Sequence, residues 1–155
     1  MCGIVGLYLN NPNLQSKLGA MFKPMIIEMT NRGPDSAGAA IYRNPVKKAE
    51  VKFSLAHDDP AYNWKGVDTG LEKALKCDAK IKVIGNHCIL VTTAKEDKVV
   101  HWLKKTHPQV RVVGSGHTIE IFKETGLPEN VYQKFDLSKA SGTHIIGHTR
   151  MATES

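Results

Sequence analysis

An apolar run at the start of the chain constrains the fold more than any other feature of the sequence. Residues 1–9 are apolar, aromatic or glycine, and the turn-forming stretch 10–13 follows them. A short run with such a flank is typical of a buried β-strand. From Leu14 onward, apolar residues recur at helical spacing, which predicts an amphipathic helix directly after the strand. Pro24 lies inside that helix and predicts a kink or break near Lys23, because proline removes a backbone donor and crowds the preceding turn.

Strands and helices continue to alternate along the rest of the chain. Residues 31–38 have the composition of a turn, and a strand is predicted at 39–42. In the middle of the chain the patterns predict a strand at 51–55 and a helix at 67–76, followed by a β-α-β-β unit with a strand at 88–93, a helix at 95–105 and strands at 110–113 and 118–122. A short helix at 129–135 and a strand at 144–147 complete the pattern, so the sequence predicts an α+β fold.

Composition and charge exclude several classes of protein. The 155 residues are 41% hydrophobic and 23% charged, as in an ordinary globular domain and unlike a disordered chain. The net charge of +6 comes from 21 basic and 15 acidic residues that are mixed along the chain, so we do not expect a nucleic-acid-binding surface. No run approaches the roughly 18 apolar residues of a membrane span, and no secretory signal is recognisable. We therefore expect no membrane association and a cytoplasmic location.

The cysteines and histidines do not indicate a cross-linked or metal-binding protein. Cys2, Cys77 and Cys88 are too few and odd in number for a disulfide framework, which favours a reducing compartment. The seven histidines lack the spacing of zinc ligands, and His87 beside Cys88 has no clear set of four ligands. We therefore expect neither a metal nor another cofactor.

Cys2 is the residue best suited to act as a catalytic nucleophile. A small residue at position 2 permits removal of Met1, which would leave a thiol and a free α-amine on one residue. The amine titrates at about 7.7–8.0 and the thiol at about 8.5, so the amine can accept the thiol proton without any histidine. Gly3 and Gly6 leave space beside this nucleophile. Taken alone, a cysteine at this position is more often accidental than catalytic.

Three sequence blocks place Cys2 in a wider pattern. They are Cys2-Gly-Ile-Val-Gly6, Arg32-Gly-Pro-Asp35-Ser-Ala-Gly38 and Gly147-His-Thr-Arg150-Met-Ala-Thr153. Together and in this order they resemble the class II glutamine amidotransferases, the glutaminase domains of the N-terminal nucleophile (Ntn) hydrolases. The resemblance is closest to the stand-alone subunits related to the first domain of glutamate synthase, which occur beside glutamate-synthase-like or N-methylglutamate-synthase-like partners. It is strong over residues 1–43 and 141–155 and weaker between them.

The resemblance implies a fold and a domain organisation. The family fold is a four-layer αββα sandwich, in which two antiparallel sheets lie between helical layers and Cys2 begins a central strand. We expect residues 1–155 to form the N-terminal part of such a domain, with a β-α-β-β insertion at 46–140. The family also supplies an oxyanion-binding Asn-Gly pair and an amine-binding Asp downstream of the arginine block. The sequence has no Asn-Gly pair, so we expect a domain that is truncated at its C-terminus or split between chains.

The resemblance also implies an activity. Cys2 would attack the side-chain amide of glutamine and form a glutamyl thioester, releasing ammonia to a glutamate-synthase-like synthase subunit or domain, and water would then free glutamate. Arg150 would hold the glutamine α-carboxylate through two parallel hydrogen bonds. Thr153, and Met151 through its backbone, would flank that carboxylate. Because the loss of an oxyanion donor costs about 10²–10³ in rate in a well-studied hydrolase, we expect this chain alone to be a poor glutaminase.

Further residues of the three blocks are expected near the site: Gly3, Arg32, Gly33, Asp35, Ser36, Gly38 and His148. Of these, Arg32 corresponds to an arginine that helps to hold the new N-terminus beside the nucleophile. Asp35 and Ser36 correspond to residues that order the loop, and the glycines serve the backbone geometry. His148 either lines the pocket or is a packed, hydrogen-bonded histidine.

Two alternatives to a glutaminase remain open. The chain could be a catalytically incomplete fragment or a non-enzymatic subunit that binds a partner or a small effector through its inserted middle region. Retention of Met1 would favour this alternative, because the α-amine of Cys2 would then be locked in a peptide bond. A different amide hydrolase of the same superfamily is disfavoured by Arg150, because such an enzyme has no α-carboxylate to hold.

Overall fold

Eight strands and four α-helices are present in the described residues, 2–43 and 45–151, of this computed structural model. The strands are β1 (Cys2–Tyr8), β2 (Ser36–Tyr42), β3 (Val51–Ala56), β4 (Ala79–Ile84), β5 (His87–Thr92), β6 (Arg111–Gly116), β7 (Ile119–Thr125) and β8 (His144–Arg150). The helices are α1 (Leu18–Glu28), α2 (Val67–Leu75), α3 (Glu96–Thr106) and α4 (Pro128–Lys134), and short 3₁₀ segments lie at Pro12–Lys17, Thr30–Arg32 and Leu137–Lys139. The predicted α+β class is confirmed.

The strands form two four-stranded sheets, one in each of two compact units. The first unit combines the described residues up to 43 with those from Ile121 onward, and the second unit is Pro45–Glu120. The strand order is β1-β8-β2-β7 in the first sheet and β4-β5-β3-β6 in the second. Residues 121–140, which the predicted insertion at 46–140 includes, therefore cluster with the first unit. That the second unit is a family-specific insertion stays a prediction.

Strand β8 lies at the centre of the first unit. It pairs antiparallel along its whole length with β1 on one side and with β2 on the other. Its Gly147 lets α1 approach closely, because a Cβ at this position would lie 2.6 Å from Ile26 Cδ1 and closer still to Phe22 Cζ. Phe22, Ile26 and Ile145 are buried where α1 meets the sheet. Because side chains alternate along a strand, every second residue of β8 points away from α1.

The face of this sheet that points away from α1 is partly apolar and exposed. We call it the open face, formed by the even-numbered residues of β1, β2 and β8. On it, Ile4 is 73% exposed and Tyr8 is 64% exposed. At the end of the open face, Tyr8, His144 and Tyr42 form one row across the three strands, with the rings of Tyr42 and His144 stacked 3.9 Å apart. Exposed apolar side chains in such number on one sheet face are typical of a surface that other polypeptide covers.

The structure differs from two expectations about the first unit. Pro24 does not break the helix, because α1 runs from Leu18 to Glu28 with the proline inside it, and the expected kink near Lys23 stays a prediction. Phe22 and Ile26 are buried on either side of Pro24, so packing holds the helix together despite the lost hydrogen bond. Within the described residues β1 is an edge strand and not a buried, central one, and its side chains alternate between exposed and covered positions.

The second unit has a hydrophobic core of its own. Helices α2 and α3 pack on one face of its sheet, and the core includes Phe53, Leu55, Leu71, Cys88, Leu90, Val99 and Leu103. Within Pro45–Glu120, Lys52 of β3 forms a buried ion pair of 2.9 Å with Glu120, the last residue of this unit. No helix in the described part of either unit is long and apolar enough to cross a membrane.

Candidate active site

The three sequence blocks meet at one end of the first unit's sheet. Cys2 of β1 lies directly opposite Arg150 of β8, and Arg150 lies directly opposite Ser36 of β2. The three residues form one row across adjacent strands, so their side chains project from the open face. Directly opposed residues have Cβ atoms about 5 Å apart, so the Cys2 and Arg150 side chains start from neighbouring positions on this face. Both Cys2 and Arg150 are exposed.

The loop that carries the second block is fastened to the end of β8. The Asp35 backbone N–H donates to the Arg150 carbonyl oxygen at 3.1 Å, and Pro34 forms an isolated parallel bridge with Arg150. The Gly33 backbone approaches β8 so closely that a Cβ on it would lie 2.6 Å from the carbonyl carbons of Thr149 and Arg150. Only glycine fits this position without displacing the loop from the strand.

Thr149 joins the blocks on the covered side of the same sheet. It is fully buried and lies opposite Gly3 of β1. Its hydroxyl donates to the Met29 carbonyl oxygen at 3.2 Å. The Arg32 Cβ lies 3.4 Å from the position that a Cβ on Gly3 would take. Thr149 is a site residue that the sequence patterns did not predict, and the one signal for it is a polar residue at a covered position of an alternating strand.

The remaining predicted residues lie next to this row or beyond the end of β8. His148 occupies the next position along the open face, opposite Gly38 of β2. Gly38 also approaches the neighbouring strand closely, because a Cβ there would lie 2.9 Å from the Phe122 carbonyl oxygen. Met151 directly follows β8 and is exposed. Thr153 lies outside the described residues.

Of the three cysteines, Cys2 has the accessibility that a nucleophile needs. Cys2 is exposed, Cys77 is half-buried and Cys88 is buried. Burial, with a smaller contribution from the charge of Asp68, raises the pKa of the Cys88 thiol to about 12. Because the thiolate is the reactive form, Cys88 is inert at neutral pH.

Apart from this row, the second unit offers two surface clefts along α3. They have volumes of about 590 and 530 Å³ and share Asp97 and His101. Neither cleft includes a residue of the three blocks. Across residues 2–43 and 45–151, no group of three or more His, Cys, Asp or Glu side chains is arranged to hold a metal ion.

Two curated proteins are similar to the whole of this chain. The "Glutamine amidotransferase-like protein GlxB" of Rhizobium meliloti is 40% identical over 156 residues, which cover 100% of this chain and 51% of that protein. A "Putative glutamine amidotransferase" of Methanothermobacter thermautotrophicus is 30% identical over 163 residues, which cover 100% of this chain and 53% of that protein. The chain thus spans about half the length of these curated relatives. No protein-family model matches the chain. The two similarities support a place for this chain in the glutamine amidotransferase family.

Proposed function

We propose that this chain carries the nucleophile of a class II glutamine amidotransferase, an Ntn-type glutaminase that hydrolyses the side-chain amide of glutamine to glutamate and ammonia. The observation that carries this proposal is the register of Cys2 and Arg150 on adjacent strands. A thiol and a guanidinium that start from neighbouring positions would match the two ends of glutamine, an amide carbon to be attacked and a carboxylate to be held. The names of the two relatives agree with this reaction.

The proposed reaction begins once Met1 has been removed and the α-amine of Cys2 is free. The amine accepts the thiol proton, directly or through a water, and the sulfur attacks the amide carbon of glutamine. The tetrahedral intermediate collapses as the amide nitrogen takes up the proton and leaves as ammonia, which gives a glutamyl thioester on Cys2. Water then adds to the thioester carbon while the amine accepts its proton. Collapse of this second intermediate returns the proton to the sulfur and releases glutamate.

In this scheme Arg150 holds the α-carboxylate of glutamine. A planar guanidinium makes two parallel hydrogen bonds to a carboxylate, which fixes direction as well as distance. The Arg150 backbone pairs with Cys2 on one side and with Ser36 on the other, and its carbonyl oxygen accepts from the Asp35 N–H. A fixed backbone limits the positions of the guanidinium relative to the sulfur, so the bound glutamine presents its amide to the thiol. Met151 and Thr153 would flank the carboxylate.

Further polypeptide is needed to complete the site. Acyl transfer requires donors for the developing oxyanion and exclusion of water, whereas Cys2 and Arg150 lie exposed and the sequence has no Asn-Gly pair. The two relatives have about as much sequence again as the part that matches this chain. A second sheet packed on the open face would cover Ile4 and Tyr8 and give the four-layer αββα sandwich. We place the oxyanion donors and the amine-binding carboxylate in that second part.

The ammonia would serve a glutamate-synthase-like synthase subunit or domain in the cytoplasm. Free ammonia in neutral water is mostly the ammonium ion, which is not a nucleophile. A glutaminase that feeds a synthase must therefore work in contact with it, and this makes the synthase an expected partner.

Ammonia release from glutamine tests the proposal. The assay uses the protein isolated from its native cells, together with the polypeptide that completes the site. Intact mass first establishes that Met1 is absent. Cys2→Ser should lower the rate at least about 10³-fold, because a hydroxyl is a far weaker nucleophile than a thiol at neutral pH. Cys77→Ser, a matched change at a half-buried thiol of the second unit, should retain the rate. The proposal is wrong if the processed protein releases no ammonia or if Cys2→Ser remains active.

A non-enzymatic subunit is the second candidate. It is favoured by the absence from the sequence of the Asn-Gly pair that would supply the oxyanion donors. This role predicts that Met1 is retained and that glutamine is neither bound nor hydrolysed. The intact mass of protein isolated from its native cells, together with calorimetric titration with glutamine, separates the two candidates.

A further inference from the structure

Thr149 is a buried polar residue at the meeting point of the three sequence blocks. It precedes Arg150 on β8, lies opposite Gly3 on β1 and opposite Ala37 on β2, and is 0% exposed. A threonine in this position could be replaced by valine if only its shape mattered, because the two side chains have nearly the same outline. Its hydroxyl must instead find a hydrogen-bond partner, since an unpaired buried polar group is costly.

The partner of the Thr149 hydroxyl is the carbonyl oxygen of Met29, at 3.2 Å. The same oxygen also accepts the Arg32 backbone N–H, at 3.0 Å. One carbonyl oxygen thus receives a hydroxyl from the strand of Arg150 and an amide from the loop of the second block. Thr149 therefore links β8 to the turn that presents Arg32 and Gly33.

Gly3 provides the space in which this hydroxyl lies. A Cβ on Gly3 would be 2.8 Å from Thr149 Oγ1 and 3.2 Å from Met29 Sδ. The first distance is shorter than real Cβ contacts and the second is tighter than most, so a larger residue next to Cys2 would push the hydroxyl away from Met29. Gly3 and Thr149 are therefore complementary in shape across the β1–β8 pair. Gly3 follows the nucleophile, and Thr149 precedes the arginine.

We propose that Thr149 is a positioning residue for the thiol chemistry at Cys2, an inference that rests on the proposed glutaminase function. Because the Thr149 hydroxyl and the Arg32 N–H bond to the same Met29 carbonyl oxygen, Thr149 fixes the position of the Arg32 loop relative to the first residues of β1. A misplacement of about 1 Å can lower the rate of a reaction about 10²-fold when reacting groups must be aligned. Thr149 has this effect from the covered side of the sheet, without touching the substrate.

Steady-state kinetics of glutamine hydrolysis by the natural protein test the role of the hydroxyl. Thr149→Val removes the hydroxyl and keeps the shape, and it should lower kcat about tenfold or more while KM changes less than about threefold, because Arg150 still binds the carboxylate. Thr149→Ser keeps the hydroxyl and should retain kcat within about threefold. Thr143→Val is the matched control, because the Thr143 hydroxyl bonds to the Tyr42 carbonyl oxygen at the other end of β8. It should leave both constants unchanged.

Amide hydrogen exchange provides a measurement that does not depend on activity. The Arg32 amide should exchange about fivefold faster in Thr149→Val, because the loss of a typical hydrogen bond lowers local stability by about 1 kcal/mol. Thr149→Ser and Thr143→Val should leave its exchange unchanged. Gly3→Ala should accelerate exchange of the same amide from the β1 side, which keeps the test available if Thr149→Val does not fold.

The outcomes separate the two proposals. If the processed wild-type protein releases no ammonia, the proposed function fails, and positioning for thiol chemistry fails with it, although Arg32 exchange still shows whether the hydroxyl holds the loop. If the wild type is active but Thr149→Ser and Thr149→Val behave alike, Thr149 serves packing only. Unchanged Arg32 exchange in Thr149→Val, or a change in KM without one in kcat, also overturns the positioning role.

Discussion

Cys2 and Arg150 are direct partners on adjacent antiparallel strands, although they come from opposite ends of the described chain. The ladder continues from Arg150 to Ser36, so residues of all three blocks share one end of the sheet. Because side chains alternate along a strand, a slip of one residue would move Arg150 to the covered face. The two-sided pairing of β8 therefore determines the relative position of the two residues on which the proposed reaction depends.

Replacement of Arg150 by lysine should weaken glutamine binding. A lysine keeps the positive charge but cannot make the two parallel hydrogen bonds of a guanidinium, and hydrogen bonds to charged groups contribute about 1.5–3 kcal/mol. We expect KM for glutamine to rise about 10–100-fold in Arg150→Lys, with a smaller change in kcat. The matched control is Arg111→Lys, since Arg111 forms an exposed ion pair with Asp58 in the second unit. Equal KM values for Arg150→Lys and the wild type would contradict the assignment.

Gly33→Ala should loosen the loop that is fastened to β8. The new Cβ would overlap the backbone of Thr149 and Arg150, and this backbone cannot move aside because β1 and β2 pair with it from both sides. We expect a loss of about 2 kcal/mol or more in the free energy of unfolding of the first unit. Gly6→Ala is the control, because the nearest atom to its Cβ would be 3.8 Å away.

The two tryptophans make the Gly33→Ala measurement specific to one unit. Trp64 and Trp102 are the only tryptophans of the chain and both lie within Pro45–Glu120. Fluorescence in a urea titration therefore reports the second unit, while far-ultraviolet circular dichroism reports both. Gly33→Ala should shift the circular dichroism transition to lower urea and leave the fluorescence transition in place. A Gly33→Ala variant as stable as Gly6→Ala would show that the loop has room to move.

Much of the fold follows from local sequence patterns. Helices α2 and α3 lie within one residue of the predicted ranges 67–76 and 95–105. Both have apolar residues at helical spacing that are buried on one side, so their pattern needs no knowledge of distant segments. Strand β1 is located equally well by the turn residues that follow it.

The features that the sequence did not predict depend on contacts between distant segments. Pro24 remains inside α1 because Phe22 and Ile26 pack on both sides of it. Strand β8 was predicted to end at Gly147 but continues to Arg150, because the polar residues of the third block are paired on both sides. Strand β4 has exposed lysines at an edge of its sheet and so lacks an apolar run. Likewise, the sequence blocks indicate candidate residues, but the strand register is what makes Cys2 and Arg150 direct partners on adjacent strands.

Gly147→Ala should destabilise the first unit by overpacking, and a second substitution should relieve it. The added Cβ would lie 2.6 Å from Ile26 Cδ1 and closer to the Phe22 ring, and both side chains are buried. Extra methyl groups in a packed core cost about 1–3 kcal/mol. Phe22→Leu removes ring atoms at the point of overlap, so the double variant should lose less stability than the sum of the two single variants. Strict additivity in a double-mutant cycle, measured by circular dichroism, would show that the two side chains do not meet.

The stability of the second unit should fall at high pH because of Cys88. Burial, and then the charge of Asp68, raises the pKa of this thiol from 9.0 to about 12 in the folded protein. Above pH 9 the unfolded chain therefore releases a proton that the folded protein keeps, so folding loses up to roughly 1.4 kcal/mol for each pH unit between about 9 and 12. Below pH 9 the thiol is protonated in both states and has no such effect.

Urea titrations followed by tryptophan fluorescence at pH 8 and pH 10.5 measure this effect in the unit that contains Cys88. Cys88→Ala should be less stable than the wild type at pH 8, because it leaves a cavity in the core, but it should lose less stability on going to pH 10.5. Asp68→Asn removes the second cause of the raised pKa, so its loss between the two pH values should lie between those of the wild type and Cys88→Ala. If all three proteins lose the same stability, the Cys88 thiol does not titrate differently in the folded and unfolded states, and its burial does not set the alkaline limit of this unit.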